Sequence, residues 1–548
     1  MTPIRRLFAL AAAACWLAAA TPSLADQPGP VVSAPAGAVQ GRSEGDLNVF
    51  KGVPYAAPPV GPARWKPPAP APAWTGVRDA TRFGPACFQL RANAGIYVSN
   101  IPAMSEDCLS LNIWAPKAAH GAPVLVWIHG GALSGGAGSE SLYDGAKLAD
   151  RGLVVVTINY RLGVLGYLAH PELSAESPDG ISGNYGLLDQ IEALRWVQRN
   201  IAAFGGDPSN VTIAGESAGG LSVMYLMASP PARGLFAKAI AESAYMVSTP
   251  ELKTSGFGMP SAEASGVTLA QQLHAPNIAA LRAMEPGALT LAATMARFAP
   301  FGAVDGKILP AQLVDVFDRG QQAPAPILAG FNSGEIRSLT VLLPPEPLTG
   351  GQYEAAIRQR YGDLADAFLK LYPATDVHQS MLATTRDALY GWTAQRLVIK
   401  QTAIGQPGYL YVFDHGYPAA DSAGLHGFHA SEVPYAFGTI DRTGPNWPKP
   451  PPTTLEARLS DAMVGYWSSF ARTGRPTAAG APDWPAYGQD ANLIIFQDTP
   501  LVSNHVLPGS YALEEAVVCR RHAAGDVAWN WNVGVASPPL PPPTPACR

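Results

Sequence analysis

The sequence predicts an α/β fold with a large, mostly parallel central sheet flanked by helices. Short apolar, β-branched runs bounded by turn residues recur through the first half, as expected of strands buried on both faces. Segments of helical periodicity lie between them, giving a strand–helix–strand order. With 47% hydrophobic residues and 14% charged residues, against a typical ~25% charged, the chain can also fill a large core.

Taken along the chain, the first strands are Val124–Ile128 and Val154–Ile158. Leu187 to Phe204 reads as a helix because Leu188, Ile191, Leu194, Val197 and Ile201 recur at steps of three or four. Val211–Ala214 is the next strand and Gly220–Ala228 the helix after it. Later strands are predicted at Ile327–Ala329 and Tyr409–Phe413, and helices at Tyr353–Leu371 and Leu455–Thr473. No internal repeat and no long flexible linker divides the chain, so residues 26–548 are expected to form one domain, with long loops and helical insertions around its site.

The 55 glycines and 53 prolines among 548 residues fall below the level of low-complexity sequence and read as turn residues. A net charge of −5 leaves no electrostatic footprint for nucleic acid. The first 25 residues combine a basic start (Arg5, Arg6), an apolar run from Leu7 to Ala20 and small residues at Ser23 and Ala25. This is the pattern of a bacterial export signal cleaved before Asp26, which predicts a periplasmic or secreted protein. No later stretch is long and apolar enough to anchor the chain in a membrane.

Removing that signal removes Cys15 and leaves Cys87, Cys108, Cys519 and Cys547, an even number in an exported chain. Three pairings are possible, and sequence proximity favours Cys87 with Cys108 and Cys519 with Cys547. A metal site lacks the Cys-x-x-Cys or Cys/His clusters it would need. The Pro-rich tail, 537–548, is expected to be extended.

The strongest chemical signal is Gly215-Glu216-Ser217-Ala218-Gly219, a G-x-S-x-G motif between a predicted strand and a predicted helix. Glycines on both sides permit the tight turn that pushes a serine hydroxyl out at the carboxyl end of a sheet, as in α/β-hydrolases. A serine alcohol is a poor nucleophile at neutral pH and needs a base, an acid to orient it, and donors for the developing oxyanion. His129-Gly130-Gly131-Ala132 follows the strand 124–128 and matches a main-chain oxyanion loop, with His129 itself read as structural. The acid should follow Ser217 in the chain: Glu335, just beyond the strand 327–329, is the best candidate, with Asp305, Asp414 and Asp421 as competitors. For the base, His415, His426 and His429 all follow the strand 409–413, and the residues alone do not separate them.

At this point the sequence resembles the type B carboxylesterase family over nearly its whole length. The resemblance is carried by Phe50-Lys-Gly-Val-Pro-Tyr-Ala-Ala-Pro-Pro-Val-Gly61, by Glu106-Asp-Cys-Leu-Ser-Leu-Asn-Ile-Trp114, and by Phe204-Gly-Gly-Asp-Pro running on to the serine motif. It implies the α/β-hydrolase fold, with Ser217 as nucleophile, Glu335 as acid and His429 as base. His429 comes from His429-Ala-Ser-Glu-Val-Pro-Tyr, in which Ala430 stands where the family usually has glycine. It also implies oxyanion donors at Gly131, Ala132 and Ala218, a hydrogen bond from Ser243 that supports the acid, and a Cys87–Cys108 disulfide. Ser110 stands where the family usually has Tyr or Thr.

The implied reaction is hydrolysis of a small-molecule carboxylic ester through an acyl-serine, with no metal or organic cofactor. A monomer is the default expectation. The disulfide loop contains Phe88 and Tyr97 but no tryptophan, which argues against choline esters. The family includes esterases acting on p-nitrobenzyl esters, polyester fragments and the polyacidic side-chain esters of fumonisin. A polyacidic ester would call for cations in the pocket; Arg297, Arg337 and Lys307 are available, with surface placement the better expectation. A hydrolase-like binding protein and an amidase or peptidase are the alternatives; the presence of Ser217, Glu335 and His429 argues against the first.

Overall fold

A computed structural model describes residues 29–91, 95–98, 100–101, 103–530 and 533–547. The proposed export signal lies outside the described residues. In chain order the strands are β1 (Val31–Ala34), β2 (Gly37–Gln40), β3 (Arg42–Glu44), β4 (Leu47–Pro54), β5 (Val77–Asp79), β6 (Ser110–Pro116) and β7 (Ala122–Ile128). They continue with β8 (Val154–Ile158), β9 (Gly206–Glu216), β10 (Lys238–Glu242), β11 (Ile327–Asn332), β12 (Gly408–Phe413), β13 (Asn492–Phe496) and β14 (Pro500–Asn504).

β1, β2 and β5 form a three-stranded sheet. The others form one 11-stranded sheet in the order β14-β13-β12-β11-β10-β9-β7-β8-β6-β4-β3. From β8 through β7, β9, β10, β11 and β12 to β13 the neighbours pair parallel. The antiparallel pairs lie at its two sides, with β6, β4 and β3 on one and β14 on the other.

Side chains alternate across the central strands, so each strand feeds two cores. Val124, Val126 and Ile128 of β7 join Leu187, Ile191 and Leu194 of the helix Tyr185–Asn200 on one face. Leu125 and Trp127 join Leu459, Met463 and Phe470 of the helix Thr454–Thr473 on the other. Burial on both faces is why these strands read as unbroken apolar runs: all five residues of β8 are buried.

The helix predicted to Phe204 ends at Asn200 and tightens into a 3-10 turn, Ile201–Phe204, closed by Gly205 at φ 84°. The one predicted over Tyr353–Leu371 is two helices, Gly350–Tyr361 and Ala365–Leu371. Gly362, at φ 52°, breaks it by adopting left-handed backbone that continues no α-helix. Disulfides join Cys87 to Cys108 and Cys519 to Cys547, with Cα–Cα distances of 5.0 and 5.5 Å. No helix among the described residues is long and apolar enough to cross a membrane.

Candidate active site

The chemistry-bearing residues converge at the carboxyl ends of the parallel strands, where open α/β sheets gather their sites. β9 ends at Glu216, and Ser217 caps the helix Ala218–Ala228 at φ 57°, ψ −119°. A serine in that backbone region is strained, and the packing around it holds the turn. A Cβ on Gly219 would lie 2.0 Å from the carbonyl oxygen of Ile128, so only glycine lets the helix start this close to β7. Sharpness of the turn and exposure of the hydroxyl have the same cause.

The Ser217 Oγ lies 2.8 Å from His429 Nε2. On the other side of the imidazole, Nδ1 lies 2.5 Å from Glu335 Oε2. Glu335 begins the turn after β11 and is fully buried; its second oxygen accepts the Asn332 N–H at 2.9 Å. The three side chains come from separate loops and are aligned in one hydrogen-bonded row.

The competing residues are engaged elsewhere. His415 is buried between Glu456 and Asp498, and His426 pairs with Asp421 and Asp414. Asp305 accepts from the N–H groups of Lys307, Ile308 and Leu309 in a local turn. His129 stacks on Tyr160 with its Nδ1 on the Gly130 carbonyl, and burial pulls its pKa down to about 4.

Gly131 (φ 100°) and Ala132 (φ 53°) turn the chain after β7 and line the same cavity as Ser217. Ala218 is the first residue of its helix, where the N–H has no intrahelical partner. Ser243 corrects one expectation. Its hydroxyl donates to Glu432 Oε1 at 3.3 Å rather than to Glu335, whose two oxygens face His429 Nδ1 and the Asn332 N–H.

Glu432 belongs to a group of buried carboxyls that the sequence reading passed over. Glu216 Oε1 lies 3.1 Å from His429 Nε2, and Glu432 accepts from the side-chain amide of Asn332. Burial pushes Glu216 up to about 8 and Glu432 up to about 7. Burial alone would lower the His429 pKa, but the carboxylates of Glu216 and Glu335 outweigh it and raise it to about 9. Both glutamates sit inside recognised motifs, one residue before Ser217 and three after His429; that proximity was the available signal.

The cavity over this row has a volume of about 870 Å³. Its lining is largely aromatic and aliphatic and includes Tyr97, Tyr245, Phe301, Leu342, Tyr390 and Trp447. Arg91 is the one Lys or Arg side chain among the described residues lining it. Lys307 pairs instead with Asp179, Arg337 bonds to Gly424 and Gln379, and Arg297 is outside the lining. Among the described residues no cluster of three or more His, Cys, Asp or Glu is arranged to hold a metal.

Comparison with known proteins gives the family. The carboxylesterase family profile matches residues 28–507. The chain is 38% identical over 507 residues to a fumonisin B1 esterase from Sphingopyxis macrogoltabida, covering 89% of each chain. It is 36% identical to a para-nitrobenzyl esterase from Bacillus subtilis, covering 86% of this chain and 95% of that one. Among solved structures, a PNB esterase superposes with a TM-score of 0.75 at 35% identity, covering 86% of this chain and 97% of the other. The Geobacillus stearothermophilus carboxylesterase EST55 gives 0.75 at 32% identity, covering 88% and 99%. Fold, family profile and relatives agree over most of the chain, which therefore belongs to the carboxylesterase family and hydrolyses carboxylic esters.

Proposed function

We propose that Ser217, His429 and Glu335 carry the hydrolysis through an acyl-serine, on uncharged esters with a bulky apolar group. The observation that supports the first part is the unbroken row from Ser217 Oγ through both imidazole nitrogens to Glu335. Ser217 Oγ attacks the ester carbonyl carbon as its proton passes to His429 Nε2, and Glu335 stabilises the imidazolium. The N–H groups of Gly131, Ala132 and Ala218 bind the oxyanion. His429 then delivers its proton to the leaving oxygen, the C–O bond breaks, and an alcohol departs. Water gives a proton to His429 and attacks the acyl carbon; collapse returns that proton to Ser217 and frees the acid.

The substrate class rests on the lining. An aromatic and aliphatic cavity rewards desolvation of apolar groups. A tricarboxylate would bring charges that, among the described lining residues, only Arg91 is of the sign to offset. The named relative that acts on fumonisin B1 therefore does not set the expectation here. A panel pairing neutral and dicarboxylate acyl groups on one alcohol, with Ser217→Ala as control, tests this reading. Neutral esters should lead in kcat/KM by at least tenfold, and a lead for the dicarboxylate would reject the substrate class.

We also propose that residues 1–25 direct export and that 26–548 act as one domain, favoured as a monomer. The basic and apolar leader and the two disulfides support an oxidising destination, periplasmic or secreted. Mass spectrometry of the exported protein should find Asp26 at its N-terminus.

A further inference from the structure

We propose that Tyr97 is a positioning residue for the catalytic histidine, keying the Cys87–Cys108 loop into the base and acid loops at once. The proposal rests on the reading of His429 as the base. The Tyr97 hydroxyl donates to the His429 carbonyl at 2.9 Å and lies 2.8 Å from Ser338 Oγ. Ser338 is in turn 3.3 Å from the carbonyl of Glu335. One phenolic oxygen thus joins the backbone of the base to the turn that carries the acid. The protons balance: the Tyr97 hydrogen goes to His429, and the Ser338 hydrogen is shared between the phenolic oxygen and the Glu335 carbonyl. A phenol ionises only at about pH 10, so the hydroxyl remains a donor across the working range.

The base loop needs such a tie. Ala430, directly after His429, is at φ 66°, a left-handed backbone that a residue with a Cβ resists. Strain of that kind persists only where surrounding contacts over-determine the conformation. Among the described residues, Tyr97 makes the hydrogen bond to the His429 carbonyl, and its ring meets the imidazole edge-on at 6.5 Å.

The loop tip is itself braced. Asn446 donates to the Gly95 carbonyl at 3.1 Å, and a Cβ on Gly444 would lie 2.6 Å from the Val98 carbonyl oxygen. Tyr97 packs edge-on against Trp447, whose ring lies on Phe428, the residue before His429. The disulfide pins the loop's ends while these contacts pin its tip. Tyr97 is 39% exposed and lines the cavity, so the tie stands where arriving substrate can press on it.

The test compares wild type, Tyr97→Phe, Ala430→Gly and the double variant on p-nitrophenyl acetate, chosen because its acyl group is too small to depend on contact with the loop. Tyr97→Phe should lower kcat about three- to tenfold, the scale of one lost hydrogen bond, and leave KM within about twofold. Ala430→Gly relieves the strained backbone and should recover at least half of the logarithmic loss in the double variant. An unchanged kcat, a loss confined to KM, or a loss that Ala430→Gly leaves untouched would overturn the proposal. Ser217→Ala and His429→Ala run alongside separate the two levels. If these abolish turnover while Tyr97→Phe does nothing, only the tie is rejected; if His429→Ala stays active, both fall.

Discussion

Glu335→Gln removes one charge from the centre of the proposed row while keeping its shape, and the structure sets how much that should matter. The carboxylate oxygen lies 2.5 Å from His429 Nδ1. At an effective dielectric of about 20, a full charge there attracts the imidazolium by about 6 to 7 kcal/mol. The amide would recover part of this through its dipole, but its orientation works against it. Glu335 Oε1 accepts the Asn332 N–H, so in the variant the amide oxygen is held there and the NH₂ faces Nδ1. Nδ1 must then accept, and the neutral imidazole carries its proton on Nε2, against Ser217 Oγ, where the base needs a lone pair. A loss of about 10³- to 10⁴-fold in kcat follows. The assay is p-nitrophenyl butyrate hydrolysis at saturating substrate, with circular dichroism confirming that the variant is folded. Retention of more than about a tenth of wild-type kcat would move the orienting role away from Glu335.

Other predictions concern titration and stability. With the His429 pKa raised to about 9, the neutral base is lost as pH falls through that value, so kcat/KM should climb from pH 7 toward 9. Glu216→Gln removes one of the carboxylates that raise it and should move this limb to lower pH; a limb that stays in place or moves up would contradict the assignment. Asp189 is fully buried and holds Arg161 through two side-chain bonds of 2.8 and 2.7 Å. Asp189→Asn leaves an uncompensated buried guanidinium and should lower unfolding stability by about 3–5 kcal/mol, read from the urea midpoint at unchanged slope; a change under about 1 kcal/mol would count against it.

Much of this arrangement is legible in the sequence because its causes are local. The residues of β8, Val154–Ile158, are apolar throughout because helices cover both faces of the sheet there. Gly215 and Gly219 flank Ser217 because the turn admits no side chain at those points, as their close backbone contacts show. What stayed hidden depends on where side chains point across loops. His415, His426 and His429 look alike by their position after one strand, and it is the family-like motif that singles out His429; the packing turns it toward Ser217 and gives the other two carboxylate partners of their own. Glu216 reads as a spacer inside its motif until the tight turn aims it at the imidazole. Ser243 matches a supporting serine, yet in the fold its hydroxyl reaches Glu432, whose position beside it no motif encodes. Tyr97 gives no periodic signal at all, since its role depends on two loops more than 200 residues away in the chain.

The proposed mechanism stands on Ser217 as the nucleophile. Treating the folded protein with a fluorophosphonate and mapping the adduct by mass spectrometry tests it most directly. One adduct per chain is expected, on the peptide containing Ser217, with ester hydrolysis lost in step with labelling and neither occurring in Ser217→Ala. An adduct on another residue, or ester hydrolysis retained by folded Ser217→Ala, would contradict it.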